Sequence, residues 1–443
     1  MKTSKKPNIL FLMSDEHRAD VTGYAGNKIV RTPTLDALAA SGTVFTNCYT
    51  PSPICIPGRQ AMMMGQNCKH CGCREYGNDL PPFSNTFAKW LSRYGYQTVC
   101  CGKLHHTGPD QMQGWTKRVS GDIQMNAPYI ETEEGCAPFV AEWGKWSDAK
   151  EIMKAGASDA KNNDDYVVEG ALQFIKNYFI DPDYDRPCKE QPLLLKVSLL
   201  KPHYPYFTKQ KQFDYYLNRV QPYLEEAVFD HPFLSTRQVK ANGDLTNRDI
   251  TRATAAYYGM IEEIDTQYAA VLQALEDAGQ NLDDWLIIYT SDHGEMLGEH
   301  GIWEKQKFFE ASVRVPLIIR APKARGANAV HKNVNTTDLY ATLCDYVGIP
   351  TPPDLDSHSL APLMADANAP WDNMTISHFG RHDGGNHLMI KQDDLKYQYY
   401  GKDMPEVLFD LAKDPSECTN FATDPAYAEN MAVFRAMVPQ YQY

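Results

Sequence analysis

Two pairs of side chains that could bind a metal follow apolar runs at distant points of the chain. Asp15 and Glu16 end one such run near the N-terminus, and Asp292 and His293 end another far along the chain. Carboxylate oxygens are the ligands that hard divalent cations prefer, and a histidine can complete such a set. Taken singly, an acidic residue after a strand is more often a loop residue or a helix cap. Together, the pairs predict one divalent cation held from both.

A second candidate centre lies around Cys55 and Arg59. The segment 51–66 is broken by proline and glycine, which predicts a turn leading into a helix from about Pro57. A cysteine at that helix start would lie in a field that favours an anion, with Arg59 nearby. The pattern therefore predicts a thiolate or an anion site. It does not distinguish a cysteine hydrolase from a rarer chemistry.

The elements that must position these residues are short apolar runs, each followed at once by polar residues. They cover 8–13, 97–101, 193–200, 285–289 and 315–319. Nearly continuous apolar runs are typical of parallel strands buried on both faces, and helical patterns lie between them, the longest at 251–278. This alternation predicts an α/β sandwich with a large, mostly parallel central sheet flanked by helices. In such folds the polar clusters after the strands can converge on one site.

The pattern changes after about residue 350. Short, partly alternating runs occupy 375–379, 387–391, 395–400 and 407–411, and a helical pattern follows near 426–437. These runs predict a smaller C-terminal antiparallel sheet with a helix. We therefore expect an N-terminal catalytic domain over 1–350 and a C-terminal subdomain over 351–443.

Composition excludes several classes of function. The 443 residues include 43 Lys and Arg against 56 Asp and Glu, a net charge of −13. An acidic chain without a basic run is a poor candidate for binding nucleic acid or an anionic membrane. No apolar stretch approaches the roughly 20 residues of a membrane span, and no segment has the pattern of a signal peptide. We expect a cytoplasmic protein.

The 11 cysteines favour the same compartment. An odd number with adjacent pairs does not suggest a disulfide framework, so reduced thiols are the simpler interpretation. Cys68, Cys71 and Cys73 could bind a soft metal, but no second cysteine pair at zinc-finger spacing follows. We interpret these three as reduced cysteines in a loop.

The motif Cys55-x-Pro57-x-Arg59, followed by a helix of small residues, resembles the signature of the type I, formylglycine-dependent sulfatases of the alkaline phosphatase superfamily. Five other segments are similar to motifs of that family and occur in the same order. They are 7–15, 32–36, 102–105, 201–205 and 291–305 with 314–318. The matches extend from about residue 7 to 322, and the ordered set is highly specific. The resemblance implies the same alkaline-phosphatase-like sandwich.

The resemblance also implies a modified nucleophile and a cation. Cys55 would be oxidised to formylglycine by a maturation enzyme, and its hydrate would attack sulfur. The cation, calcium by resemblance, with Mg²⁺ or Mn²⁺ as alternatives, would be held by Asp15, Asp292, His293 and residue 55. Many members have Asp at the position of Glu16, so we place Glu16 below Asp15 as a metal ligand.

The remaining roles follow from the same resemblance. Arg59 and Lys103 would neutralise the sulfate and the nucleophile, and His105 would take a proton from the second hydroxyl of the hydrate. His203 and Lys305 would bind the ester oxygen or protonate the leaving alcohol. Without the resemblance, Lys103, His105 and Lys305 would by default be surface residues.

These observations favour a sulfatase that hydrolyses a small sulfate ester, foremost a sulfated sugar. A phosphonate or phosphate mono- or diester hydrolase on the same scaffold is the alternative, because both substrates are tetrahedral anions. A metal-binding protein without activity and a thiol hydrolase are less favoured. Arg381 and His382 are candidates for contacting the substrate from the C-terminal sheet. Acidic and aromatic insertions could form a homo-oligomer interface or a substrate wall.

Overall fold

The computed structural model describes residues 6–122, 129–132, 135–138, 148–181, 190–223, 229–323, 328–380 and 385–442. Its strands are β1 (Asn8–Asp15), β2 (Thr43–Tyr49), β3 (Gln97–Gly102), β4 (Lys117–Ser120), β5 (Tyr129–Thr132), β6 (Gly135–Pro138), β7 (Gly156–Ala157), β8 (Leu193–Pro202), β9 (Phe207–Thr208), β10 (Trp285–Ser291), β11 (Arg314–Val315), β12 (Leu317–Arg320), β13 (Asn328–Asn335), β14 (Met374–Gly380), β15 (Asn386–Gln392), β16 (Leu395–Tyr399) and β17 (Val407–Asp410). Its α-helices are α1 (Pro33–Ser41), α2 (Cys55–Met64), α3 (Cys68–Cys71), α4 (Phe87–Arg93), α5 (Asp148–Met153), α6 (Asn163–Phe179), α7 (Gln210–Tyr216), α8 (Asn247–Asp277), α9 (Glu310–Val313), α10 (Leu339–Val347), α11 (Ala361–Ala365) and α12 (Ala428–Tyr441).

Nine described strands form the central sheet, in the order β11-β2-β12-β10-β1-β8-β3-β4, with β13 paired to β2. β1 lies in the middle and runs parallel to both β10 and β8. Its register pairs Ser14 with Ser291 of β10 and Asp15 with Pro202 of β8. Because the three strands are parallel and end together, the residues after them meet at one edge of the sheet. The predicted mostly parallel sheet is confirmed.

One predicted strand is divided in the structure. The run 315–319 contains Pro316, and the chain forms β11 before it and β12 after it, both antiparallel to β2. Proline has no N–H to donate to a sheet ladder, which explains the interruption. β2 and β13 have no counterpart among the predicted elements, because their polar residues interrupt the apolar runs that reveal buried strands.

Helices cover both faces of the sheet, as expected for the sandwich. On one face α1, α6 and α8 pack into a buried apolar cluster that includes Leu35, Val167 and Ile264. On the other face α2, α4 and α10 pack around Met62, Phe87 and Leu343. The longest helix, α8, extends beyond the predicted 251–278 at its N-terminus, where a capping box formed by Thr246 and Asp249 starts it.

The C-terminal strands form a separate antiparallel sheet, β14-β15-β16-β17, with α12 against it. The ring of Tyr397 stacks on Phe434 of α12 with centroids 5.3 Å apart. This confirms the smaller antiparallel sheet with a helix, and its first strand, Met374–Gly380, includes the predicted run 375–379. The division of the chain at residue 350 stays a prediction. Among the helices that the structure describes, none is long and apolar enough to cross a membrane.

Candidate active site

Four buried side chains from three parts of the chain meet at the carboxyl ends of β1 and β10. Asp15, Cys55, Asp292 and His293 each place one donor atom within 4.8 Å of all the others. The sulfur of Cys55 lies 3.1 Å from Nε2 of His293 and 3.6 Å from Oδ1 of Asp15. The group contains Asp15, Asp292 and His293 of the two predicted pairs together with Cys55, which the resemblance implies as a ligand, and it does not contain the predicted Glu16.

The donor set fits a hard divalent cation. Two buried carboxylates face one point, and Nδ1 of His293 lies 2.9 Å from the carbonyl oxygen of Gly294. Because a carbonyl only accepts hydrogen bonds, Nδ1 of His293 carries the proton and Nε2 keeps a lone pair toward the set. Asp15, Asp292, His293 and residue 55 are therefore the residues that would hold the ion.

The positive charges of Arg59 and Lys103 neutralise the carboxylates of Asp15 and Asp292. Arg59 donates hydrogen bonds to Asp292 at 2.6 Å and to Asp15 at 2.9 Å, and the ammonium of Lys103 lies 2.7 Å from Asp15. Burial alone would raise the pKa of Asp15, but Lys103 and Arg59 outweigh it and hold that pKa well below its usual value. Arg59 also donates to Oγ of Ser198, at 3.0 Å. The positively charged side chains of Arg59 and Lys103 thus lie next to the position at which the sequence predicts an anion.

The unmodified thiol of Cys55 is not a thiolate. α2 begins at Cys55, two residues before the predicted start at Pro57. Burial, and then the charge of Asp15, raise the pKa of Cys55 to about 12. The sequence predicts a thiolate or an anion site here because of the helix start and Arg59. In the structure Arg59 already pairs with Asp15 and Asp292, so it does not lower the pKa of Cys55 enough to offset burial. A thiol hydrolase is therefore disfavoured.

His105 lies near this centre in a constrained conformation. Its φ of 65° is uncommon outside glycine, and its backbone N–H donates to the carboxylate of Asp122, as does that of Leu104 at 2.8 Å. Nε2 of His105 lies 3.4 Å from the hydroxyl of Tyr76. Burial, and then the charge of Lys103, hold the pKa of His105 well below its usual value. His105 is therefore a neutral base at ordinary pH.

A second group of charges lies beside the first and contains Glu16, His203 and Lys305. The ammonium of Lys305 lies 2.8 Å from Oε2 of Glu16 and 2.9 Å from Nε2 of His203. Burial raises the pKa of Glu16 well above its usual value despite Lys305, and burial with Lys305 lowers that of His203. Glu16 forms a second group of close donor atoms with Asp15 and His203, and Asp15 belongs to both groups.

The structure adds residues that the sequence does not reveal. Ser198, Asp122, Tyr76 and Tyr204 contact predicted site residues: Ser198 binds Arg59, and the ring centroid of Tyr204 lies 4.5 Å from Nζ of Lys305. Ser198 lies in the predicted strand 193–200 and Tyr204 in the motif segment 201–205, so the sequence could have indicated both. Asp122 and Tyr76 lie in loops with no motif.

Two other predictions have different outcomes. Arg381 and His382 lie outside the described residues. Cys68, Cys71 and Cys73 are buried, and among the residues that the structure describes they do not join a group of donor atoms close enough to share a cation. Cys68 and Cys71 lie in the short helix α3 and not in the predicted loop, and the thiol of Cys68 donates a hydrogen bond to the carbonyl oxygen of Pro51 at 3.5 Å.

Family models and known proteins match this chain along almost its whole length. A family model described as sulfatase matches residues 7–349, and a model described as N-sulphoglucosamine sulphohydrolase, C-terminal, matches residues 298–442. A choline-sulfatase of Rhizobium meliloti (strain 1021) is 31% identical over 455 residues, which cover 98% of this chain and 86% of the relative. An arylsulfatase of Clostridium perfringens (strain 13 / Type A) is 28% identical over 465 residues, covering 98% and 94%.

Solved structures share the whole fold. One, a protein in complex with its substrate D-glucosamine-2-N,6-O-disulfate, superposes with a TM-score of 0.81 at 21% identity, covering 99% of this chain and 98% of that chain. The phosphonate monoester hydrolase of Agrobacterium radiobacter superposes with a TM-score of 0.79 at 24% identity, covering 98% and 95%. The sulfatase model spans most of the chain, and the choline-sulfatase aligns along almost all of it. This chain therefore belongs to the sulfatase family of the alkaline phosphatase superfamily and is a sulfuric ester hydrolase.

Proposed function

We propose that the protein hydrolyses a small sulfate ester, foremost a sulfated sugar, with residue 55 acting as formylglycine beside a divalent cation. The observation that carries this proposal is the position of Cys55. Its sulfur lies against Asp15 and His293, and Arg59 and Lys103 neutralise the carboxylates around it. A thiol with a pKa of about 12 has little use there as a nucleophile, whereas a hydrated aldehyde would supply an attacking hydroxyl.

The charged residues divide into three tasks. Arg59 and Lys103 offset the negative charge that develops on the sulfuryl oxygens, with fixed positions rather than mobile water. His105, held neutral by burial, can accept the proton of a hydroxyl on residue 55. Lys305 and His203 lie together on the other side of Glu16 and can serve the leaving oxygen. When bound, calcium, magnesium or manganese would polarise the sulfate oxygens.

The choice of a sulfated sugar is supported by the C-terminal match to the N-sulphoglucosamine sulphohydrolase model. The choline-sulfatase relative makes choline sulfate the first competing substrate to assay. A phosphonate or phosphate ester is a further competitor, because the same cations would bind a phosphoryl group. We also propose a reducing, cytoplasmic location, which the free thiols of the described cysteines fit. A formylglycine-generating enzyme is the required partner.

One experiment tests the nucleophile and the substrate class together. The protein is produced with and without a formylglycine-generating enzyme, and the peptide containing Cys55 is weighed; conversion lowers its mass by roughly 18 Da. Both forms are then assayed on glucosamine sulfates, choline sulfate and phenylphosphonate esters. We expect activity on a sulfated sugar only from the converted form. Equal activity of the Cys55 form, or activity on phosphonates alone, would contradict the proposal.

A further inference from the structure

The carboxylate of Glu16 does not join the four-residue cation set but forms a group of close donor atoms with Asp15 and His203. The backbone N–H of Glu16 donates to Oδ1 of Asp292 at 3.1 Å, so its main chain belongs to the cation site. Its carboxylate, however, accepts from the ammonium of Lys305 at 2.8 Å. Glu16 follows β1 directly and has a φ of 66°, which is uncommon outside glycine. The fold thus combines a constrained backbone with a carboxylate that faces Lys305.

The proton positions around Lys305 follow from the partners. Nδ1 of His203 lies 2.5 Å from the carbonyl oxygen of Tyr204, which can only accept, so Nδ1 carries the proton. Nε2 of His203 then accepts from the ammonium of Lys305 at 2.9 Å. Lys305 therefore donates to two acceptors, Glu16 and His203. Nε2 of His203 and Oε2 of Glu16 lie 3.3 Å apart.

This arrangement fixes the ammonium from three sides. Glu16 and His203 accept two of its three protons, and the ring of Tyr204 flanks it at 4.5 Å. The side chain of Lys305 is nearly excluded from solvent. A lysine without such partners would sample many rotamers, since it is among the most flexible side chains. Among the described residues no acceptor takes the third N–H, which leaves it for an oxygen of the substrate.

We propose that Glu16 is a positioning residue that holds Lys305 against the leaving-group oxygen, and that it is not a ligand of the cation. This inference rests on the proposed function. Among the described residues Oε2 of Glu16 is bound to Lys305, while Oε1 is buried without a hydrogen-bond partner. Ligation through Oε1 is the competing role, and it predicts loss of metal when Glu16 is changed.

The test separates leaving-group chemistry from metal binding. Glu16→Gln, Lys305→Met and the double variant are made in formylglycine-containing protein. Calcium content is measured by elemental analysis, and kcat is measured on para-nitrophenyl sulfate and phenyl sulfate. A good leaving group needs little help from a proton donor, whereas general acid assistance contributes about 10²- to 10⁴-fold for a poor one. Loss of positioning should therefore appear mainly with phenyl sulfate.

We expect Glu16→Gln to keep its calcium, to lose about 10- to 100-fold in kcat on phenyl sulfate and to lose less than about 3-fold on para-nitrophenyl sulfate. In the Lys305→Met background the same change should have almost no further effect, because Glu16 acts through Lys305. A fall in calcium content, an equal loss on both esters, or independent effects of the two changes would overturn the assignment.

Two further variants serve as controls for the assignment of Glu16 as a positioning residue. Glu16→Asp keeps the charge but is one methylene shorter, so it should show the same selective loss on phenyl sulfate; full activity would overturn the assignment. Glu295→Gln neutralises another buried carboxylate, one that accepts from the backbone of Leu297 and Glu304, and it should leave the ratio of the two esters unchanged. Wild-type protein that carries formylglycine but cleaves neither these two esters nor a glucosamine sulfate would instead refute the proposed function itself.

Discussion

Nε of Arg59 donates a 2.6 Å hydrogen bond to Oδ2 of Asp292, a residue 233 positions later in the chain. The same guanidinium reaches Asp15 through Nη2, so it links the ends of β1 and β10 to α2. Cys55 and Arg59 lie four residues apart on that helix, which places both on one face. The link that neutralises the carboxylates therefore also fixes the position of Cys55, the proposed nucleophile.

Loss of Arg59 should destabilise the protein strongly as well as abolish activity. Arg59→Met leaves two buried carboxylates without their shared counter-charge, and breaking a buried pair in this way costs about 3–5 kcal/mol. Urea unfolding of calcium-free protein measures the change. Arg320→Met is the control, because Arg320 pairs with a partly exposed Asp283 and its loss should cost less than about 1 kcal/mol. Equal costs would contradict this account of the site.

The thiol of Cys55 should be unreactive in folded, unconverted protein. Its pKa of about 12 and its burial leave almost no accessible thiolate at pH 8. Pulse alkylation with iodoacetamide followed by peptide mapping should label Cys418, which is only half-buried, and leave Cys55 unlabelled until denaturant is added. Labelling of Cys55 as fast as Cys418 would show that the site opens.

The sequence predicts the parts of this site that depend on strand ends. Asp15 and Asp292 each end a buried apolar run, and parallel register alone brings them together. It does not predict the direction of Glu16, because an unusual φ and a contact with Lys305, 289 positions away, decide it. The apolar pattern also does not predict β13, because this polar strand depends on its pairing with β2 rather than on local periodicity.

His105 and His106 are adjacent but should differ completely in effect. His105 faces the site near Tyr76, whereas Nδ1 of His106 lies 3.1 Å from Asp79. Removing a general base typically costs 10²- to 10⁴-fold, so His105→Ala should lower kcat by about that factor with little change in melting temperature. His106→Asn keeps a donor toward Asp79 and should leave kcat within about 3-fold of wild type. Similar losses in kcat would contradict the role of His105.

A buried charge cluster beneath the C-terminal sheet should control the dependence of stability on pH. Lys396 of β16 pairs with both Glu310 and Glu417, and one ammonium therefore serves two carboxylates. Burial raises the pKa of Glu417 from 4.5 to about 7 despite the nearby charge of Lys396. Burial would also raise the pKa of Glu310, but Lys396 and Arg314 outweigh it and lower that pKa. The native protein therefore holds a proton on Glu417 that the unfolded chain releases at lower pH.

The sign of the effect follows from that proton. Between pH 4.5 and about 7 the native state binds more protons than the unfolded state, so the contribution of Glu417 to stability falls as pH rises. The loss is at most about 3 kcal/mol, since one pKa unit corresponds to about 1.4 kcal/mol. Glu417→Gln should remove this slope, which urea unfolding at pH 5 and 8 measures. Glu406→Gln is the matched control of opposite sign. Burial would raise the pKa of Glu406, but its ion pair with Arg435 outweighs burial and lowers that pKa, so the contribution of Glu406 to stability is lost as pH falls. An unchanged slope in Glu417→Gln would show that Glu417 ionises normally in the folded protein.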